Sequence, residues 1–163
     1  MPLTASKVEE LAEWGMHADV LADVRSKARS DFFGYDDPRD AKYIANTGEL
    51  NSRDRRLAGW FGFSFRMPDG RRPAEIAAVA QLSGSEQASA QKSIQQCRFV
   101  MAMVSTVIAG RGVYLKLEEE EFEIASRMLS QVVYKGDALC AHILPVGRGK
   151  WLVSPGWLVW PFR

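Results

Sequence analysis

Cysteine and histidine are scarce in this sequence, with two residues of each among 163. Cys97 and Cys140 lie far apart in apolar stretches, so we predict two small core residues rather than a disulfide framework. Structural zinc sites usually take their ligands as two close pairs, and here only Cys140 and His142 are close in the chain. The sequence therefore predicts no bound metal at these residues.

Long apolar runs are also missing. The longest, residues 99–110, has about a dozen residues between Arg98 and Arg111, whereas a helix that spans a bilayer needs about 20. The first ten residues contain Glu9 and Glu10 and lead into an amphipathic stretch, which is unlike a secretory signal. These absences predict a cytoplasmic protein that does not enter a membrane.

Motifs of catalytic and cofactor sites are missing as well. Residues 147–150 lack the preceding glycine and the following hydroxyl of a phosphate-binding loop. Neither histidine has a recognisable nucleophile as a partner. We therefore predict no catalytic residue and no cofactor, and we favour a non-enzymatic role while the question of an enzyme stays open.

The chain length sets the domain organisation. A domain of about 150 residues buries roughly 70% of the surface that its unfolded chain exposes, so 163 residues suffice for one sizeable core. Two independent domains of half this length would each be marginally stable. We therefore expect a single globular domain over residues 1–163.

The longest apolar periodicity runs from Ser83 to Gly110 and predicts a central buried helix over about residues 85–109. Ser83 and Glu86 match a capping box, and Gly110 stands where a helix commonly stops. Apolar residues recur at spacings of three and four, at Ile94, Cys97, Met101, Val104 and Ile108. The opposite side of its second half is also apolar, which indicates that this half is enclosed by other elements.

Shorter patterns surround this helix. Helical spacing recurs in residues 6–28, 74–82 and 118–132, and the last of these begins with an acidic first turn. Strand-type alternation occurs in residues 61–67 and 113–117. Three short apolar runs predict a C-terminal antiparallel meander, residues 138–144, 151–154 and 157–162. The fold class is therefore α+β, with four or five helices around the central helix and a small, mainly antiparallel sheet.

Charge is unevenly distributed, although the net charge is only +1. Residues 51–72 contain six arginines and two aspartates, interleaved with aromatic residues. Guanidinium groups bind phosphates, and both they and aromatic rings stack on unpaired bases, although phenylalanines on one strand face are more often core residues. The candidate nucleic-acid-binding residues are Arg53, Arg55, Arg56, Arg66, Arg71, Arg72, Arg148 and Lys150.

Aromatic residues are concentrated at the C-terminal end. In a regular strand Trp157 and Val159 would lie opposite Leu158 and Trp160, so both faces would carry large apolar groups. A monomer would have difficulty burying both faces, which indicates a contact with another protein or with a second copy. The predicted interface residues are Trp151, Trp157, Trp160 and Phe162.

An acidic cluster supports a competing hypothesis. Clustered carboxylates can hold divalent cations, so Asp31, Asp36, Asp37 and Asp40 could serve a metal-dependent, nuclease-like hydrolase. Turn formation and a solvated face are the simpler interpretation of these residues. A regulatory domain that binds a small molecule is a third hypothesis, although the sequence carries no ligand signature for it.

The leading hypothesis combines the basic and the aromatic regions. It describes a non-enzymatic small subunit or adaptor of a larger assembly, which docks on protein through its C-terminal aromatic strands. The arginine-rich region would then contact nucleic acid.

Overall fold

A computed structural model describes residues 2–34 and 52–161, without the side chains of residues 52 and 53. Its helices are α1 (Ala5–His17), α2 (Ala22–Phe33), α3 (Ser52–Phe63), α4 (Pro73–Gln81), α5 (Gly84–Gln95) and α6 (Arg127–Val132), with a 3₁₀ turn at Asp19–Leu21. Its strands are β1 (Arg98–Ile108), β2 (Gly112–Leu117), β3 (Glu120–Ala125), β4 (Ala138–Gly147), β5 (Lys150–Val153) and β6 (Leu158–Trp160). The predicted mixture of helices and strands is confirmed. In this part of the chain, none of the helices has the length and apolar character needed to cross a membrane.

The strands form a closed barrel with one strand added to it. Strands β1 to β5 pair in the order β1-β2-β3-β5-β4, and β4 pairs back to β1. All of these pairs are antiparallel except β3 with β5, which is parallel. The sheet is thus larger than the small antiparallel sheet that was predicted, because pairing between distant segments closes it on itself.

The predicted central helix over residues 85–109 is wrong. The helix α5 ends at Gln95, and the apolar half of the stretch is the strand β1. Val100, Ala102 and Val104 are buried in β1, and the residues between them are exposed. When nearly every position is apolar, a spacing of three or four and an alternation of two both fit, so periodicity cannot separate them. The β-branched residues of residues 98–108 favour the strand.

Two shorter predictions are also wrong. Residues 61–67 are not a strand, because Phe61 and Phe63 lie in the last turn of α3, and both are buried in a helical core. Residues 118–132 are not one helix, because a turn at Glu118 (φ 55°) leads into the strand β3, and α6 begins only at Arg127. The helix predicted near Pro73 and the strand over residues 113–117 are confirmed as α4 and β2.

The C-terminal meander is wrong in its connections, although its three strands are present. Strand β5 pairs with Ile143–Gly147, and β6 pairs with Ala138–Cys140. Strand β1 occupies one edge of β4, so β5 and β6 both pair with the opposite edge, and both run antiparallel to β4. They are therefore two segments of one interrupted strand. The interruption, residues 154–157, contains a proline that cannot donate to the ladder and Gly156 with φ 85°.

The helices and the barrel have separate cores that share two strands. Helices α1 to α5 enclose one core, and the interior of the barrel forms the other. Leu144 and Leu152 belong to the helical core, whereas their neighbours Ile143 and Val153 pack in the barrel core. Where the helices cover strands β4 and β5, one face of each strand packs in the helical core and the other packs in the barrel core. A single domain over residues 1–163 stays a prediction.

Candidate functional site

The outer face of β4 is apolar or neutral along its whole length, but only half of it is covered. Leu144 is fully buried and Val146 is partly buried against the helical core. His142 comes next and is also buried. Cys140 and Ala138 continue the same face beyond the helices, and both are partly exposed. Among the described residues, no element thus packs on the second half of this strand face.

The neighbouring strands extend this uncovered half into a broad surface. On β1, Met101 lies opposite Cys140 and Met103 lies opposite Ala138, while Phe99 lies opposite His142. On β6, Leu158 and Trp160 lie opposite Cys140 and Ala138. Paired residues point to the same side of a sheet, so their side chains form one surface. We call this surface the bare face; its large members and their exposed fractions are Phe99 58%, Met101 66%, Met103 50%, Leu158 45% and Trp160 66%.

The bare face is as large as the largest apolar patches found on typical monomers. With about 200 Å² for a fully exposed side chain of this size, the five large residues expose on the order of 550 Å². The largest apolar patch on a typical monomer covers about 300–600 Å², and such patches are often functional. None of the seven residues at its positions on β1, β4 and β6 is charged. The bare face therefore has the area and the chemistry of a docking surface.

His142 marks the boundary between the covered and the bare halves. Its Nε2 lies 2.5 Å from the Ser64 hydroxyl, just after α3, and its ring lies 5.0 Å from the Phe99 ring. Burial lowers the pKa of His142 to about 4, and the positive charge of Arg72 acts in the same direction. The imidazole is therefore neutral at physiological pH and serves as a packed polar contact between helix and barrel.

The contact between Ser64 and His142 has the form of a nucleophile and its base, but its chemistry is unfavourable. A general base works best when its pKa lies near the operating pH, and the pKa of His142 is about 4. Arg72 lies beside the pair and donates from its guanidinium to the Ile94 carbonyl at 2.7 Å. A cation at this place disfavours the imidazolium that a base must form. The arrangement thus supports a structural role.

The candidate basic residues are spread over three segments. Arg55 and Arg56 lie on α3 beside Gly156 and Trp157, and Arg148 and Lys150 lie at the tip of the β4–β5 hairpin. Arg66, Arg71 and Arg72 lie between α3 and α4, and the side chain of Arg53 is outside the described residues.

Four of these arginines have partners within the chain. Arg72 is buried. Arg55 pairs with Glu9 at 2.7 Å, and Arg71 pairs with Asp69 at 2.7 Å. Arg66 donates to the Gly70 carbonyl at 2.9 Å. A phosphate would have to compete with these contacts.

The barrel offers a second surface to compare with nucleic-acid binders. A five-stranded Greek-key barrel of this kind has the architecture of the OB fold, which binds oligonucleotides on the face of its second and third strands. Here Lys116 pairs with Glu121 and Tyr114 pairs with Glu123, so that face carries carboxylates. Carboxylates repel phosphate groups, and this face therefore does not favour nucleic acid.

The fold alone does not assign a function, because barrels of this type serve many. Comparison of the chain with protein-family models, with curated proteins and with solved structures finds no match. The function is therefore inferred from the surfaces of this chain.

The four predicted interface residues occupy different environments. Trp160 lies on the bare face, whereas Trp157 is half-buried in the interruption between β5 and β6. Trp151 is half-buried and packs edge-on against Phe122, with ring centroids 5.3 Å apart. Phe162 lies outside the described residues. Sequence reasoning missed Phe99, Met101 and Met103, because every position from 99 to 104 is apolar and the pattern does not show which side chains face solvent.

The metal hypothesis rests mostly on residues outside the described part of the chain. Asp36, Asp37 and Asp40 lie there, and Asp31 is in the last turn of α2. Among the residues that the structure does describe, no three histidine, cysteine or acidic side chains are grouped to hold a metal ion. The cysteines are both free, and burial raises the pKa of the Cys97 thiol to about 12.

Proposed function

We propose that this protein is a non-enzymatic subunit of a larger assembly and that it docks on protein through the bare face. One observation carries the proposal: the helices bury half of an apolar strand face, and the other half continues into solvent without a charged residue. The proposal keeps the cytoplasmic location expected from the sequence.

The composition of the bare face supports a protein partner. Aromatic residues and methionine are enriched at the centres of protein interfaces, and charged residues are depleted there. Trp160 and Phe99 supply the rigid aromatic surface, while Met101 and Met103 supply flexible side chains that adapt to a partner. A lone exposed apolar residue needs no explanation, but five on three adjacent strands do.

Nucleic-acid contact through the arginine-rich region stays a prediction outside this proposal. The contacts of Arg55, Arg66, Arg71 and Arg72 within the chain give it no added support. The metal-dependent hydrolase likewise stays a hypothesis about residues 31–40.

Photo-cross-linking in the native host tests the docking proposal. Benzoylphenylalanine in place of Met101 is expected to form adducts with protein, because Met101 lies near the centre of the bare face. The matched control carries the same group in place of Glu121, an exposed residue on the acidic face of β2 and β3. Equal adduct yields at the two positions, or none at position 101, would contradict docking through this face.

A further inference from the structure

We infer that a second copy of this chain covers the bare face, so that the protein is a two-fold symmetric dimer through β1, β4 and β6. This inference rests on the proposed function and names its partner. Three observations carry it: the charge of the surface, its area and the position of Cys140.

The absence of charge on the bare face makes it suitable for contact with a second copy of the same surface. In a two-fold interface the same patch meets itself, so any charge within the patch faces a like charge. The bare face contains none. Its nearest charged neighbour on β2, Lys116, is paired in register with Glu121 and belongs to the rim. By contrast, the acidic outer face of β2 and β3 would repel its own copy, which makes it a poor choice for self-association.

The apolar area of the bare face exceeds the minimum expected of a biological interface and approaches the usual range. Each copy would contribute on the order of 550 Å² of apolar surface, so the pair would bury about 1,100 Å² before any polar rim is counted. Specific interfaces bury about 1,200–2,000 Å² in total, and a biological interface should exceed about 1,000 Å². Burial of rim residues such as Lys116, which is paired with Met103, would add to this area.

The position of Cys140 gives the dimer a testable geometry. Cys140 lies between Met101 on β1 and Leu158 on β6, in the middle row of the bare face. Sheets that pack face to face lie about 10 Å apart. A two-fold axis through the centre of the patch therefore brings the two Cys140 side chains opposite each other, within the span of a short bifunctional reagent.

Thiol cross-linking measures this geometry with the natural residues. A short-arm bismaleimide is expected to convert the wild-type protein into a covalent dimer, and Cys97→Ser should behave in the same way. Cys140→Ser should give no covalent dimer, because Cys97 packs against the helical core and not on the bare face, and burial raises the pKa of its thiol to about 12. A covalent dimer that persists in Cys140→Ser would place the axis elsewhere and overturn the proposed interface.

Light scattering over concentrations of about 1 to 100 µM provides the second measurement. The wild type is expected to have the mass of a dimer, and Met101→Glu should weaken association at least about 100-fold, because it buries a charge against its own copy. Val79→Glu is the matched control, since Val79 is 57% exposed on α4, away from the bare face. A dimer that survives Met101→Glu would overturn the inference.

The outcomes separate this inference from the docking proposal. A wild-type monomer at every concentration whose photo-adducts at position 101 contain a different protein overturns the dimer and leaves docking in place. A monomer without adducts at position 101 removes both. Adducts at position 101 between two copies of this chain support both.

Discussion

The two halves of the outer face of β4 are similarly apolar, but the helices pack on only one of them. Leu144 and Val146 lie under the helices, while Ala138 and Cys140 on the same strand face solvent together with the apolar residues of β1 and β6. An apolar strand face stabilises the fold where another element packs on it. Where none does, it exposes apolar surface that favours association or aggregation. The packing on the covered half therefore indicates that the bare half is suited to packing against another protein surface.

Truncating one residue from each half is the strongest way to break this comparison. Leu144→Ala should lower the free energy of unfolding by about 2–5 kcal/mol, because Leu144 is fully buried between helix and barrel. Met101→Ala should change the stability of the isolated monomer by no more than about 0.5 kcal/mol. Urea denaturation at low protein concentration measures both. Similar losses would mean that the bare half is already covered within one chain.

The pH dependence of stability tests the comparison at His142, the residue between the covered and the bare halves. The pKa of His142 is about 4 in the folded protein and near the ordinary histidine value of 6.5 when unfolded, so the unfolded chain binds the extra proton between these values. The contribution of His142 to stability is therefore complete above pH 6.5 and is lost as the pH falls to about 4, by about 3 kcal/mol in total.

His142→Gln provides the reference for this titration. It keeps a hydrogen-bonding group for Ser64, and both proteins share the same carboxylates, so their difference isolates the imidazole. Denaturation of both proteins at several pH values should show the wild type losing more stability than the variant between pH 6.5 and 4. Parallel curves would mean that the helices do not exclude water from His142.

A methyl group on α3 sharpens the comparison where this helix contacts the interrupted strand. A Cβ at Gly59 would clash with the Pro155 carbonyl oxygen, so Gly59→Ala should cost about 1–3 kcal/mol. Gly62→Ala in the same helix is the control. Its Cβ would make ordinary contacts of 3.9 Å with Ala12 and Ala74, and alanine favours a helix, so it should stabilise by up to about 1 kcal/mol. Thermal unfolding compares the two, and equal effects would argue against close packing at Pro155.

Local signals predicted some elements well. Pro73 at the first position of α4 and the alternation of Val113 and Leu115 in β2 each depend on a few neighbouring residues, so the sequence was sufficient. β1 was misassigned because its apolar positions fit a helix as well as a strand, and its pairing with the distant strand β4 has no local signal. In β3 only Phe122 and Ile124 alternate inward, and the glutamates around them also suit the first turn of a helix.

The candidate site was also predicted only in part, because some of its residues have a local signal and others do not. The excess of large residues around Trp160 was visible in the sequence, and the structure places that tryptophan in solvent. The contribution of β1 was not visible, because Phe99 and Met101 become surface residues only when β1 pairs with β4. A surface formed by distant strands has no local signature.

The sharing of β4 and β5 between two cores also affects the order of folding. The core around the N-terminal helices needs Leu144 and Leu152, which leave the ribosome long after α1 to α5 have been synthesised. The apolar interior of those helices therefore stays incomplete until nearly all of the described chain has emerged. A nascent chain stalled before Leu144 would present that interior to chaperones and proteases.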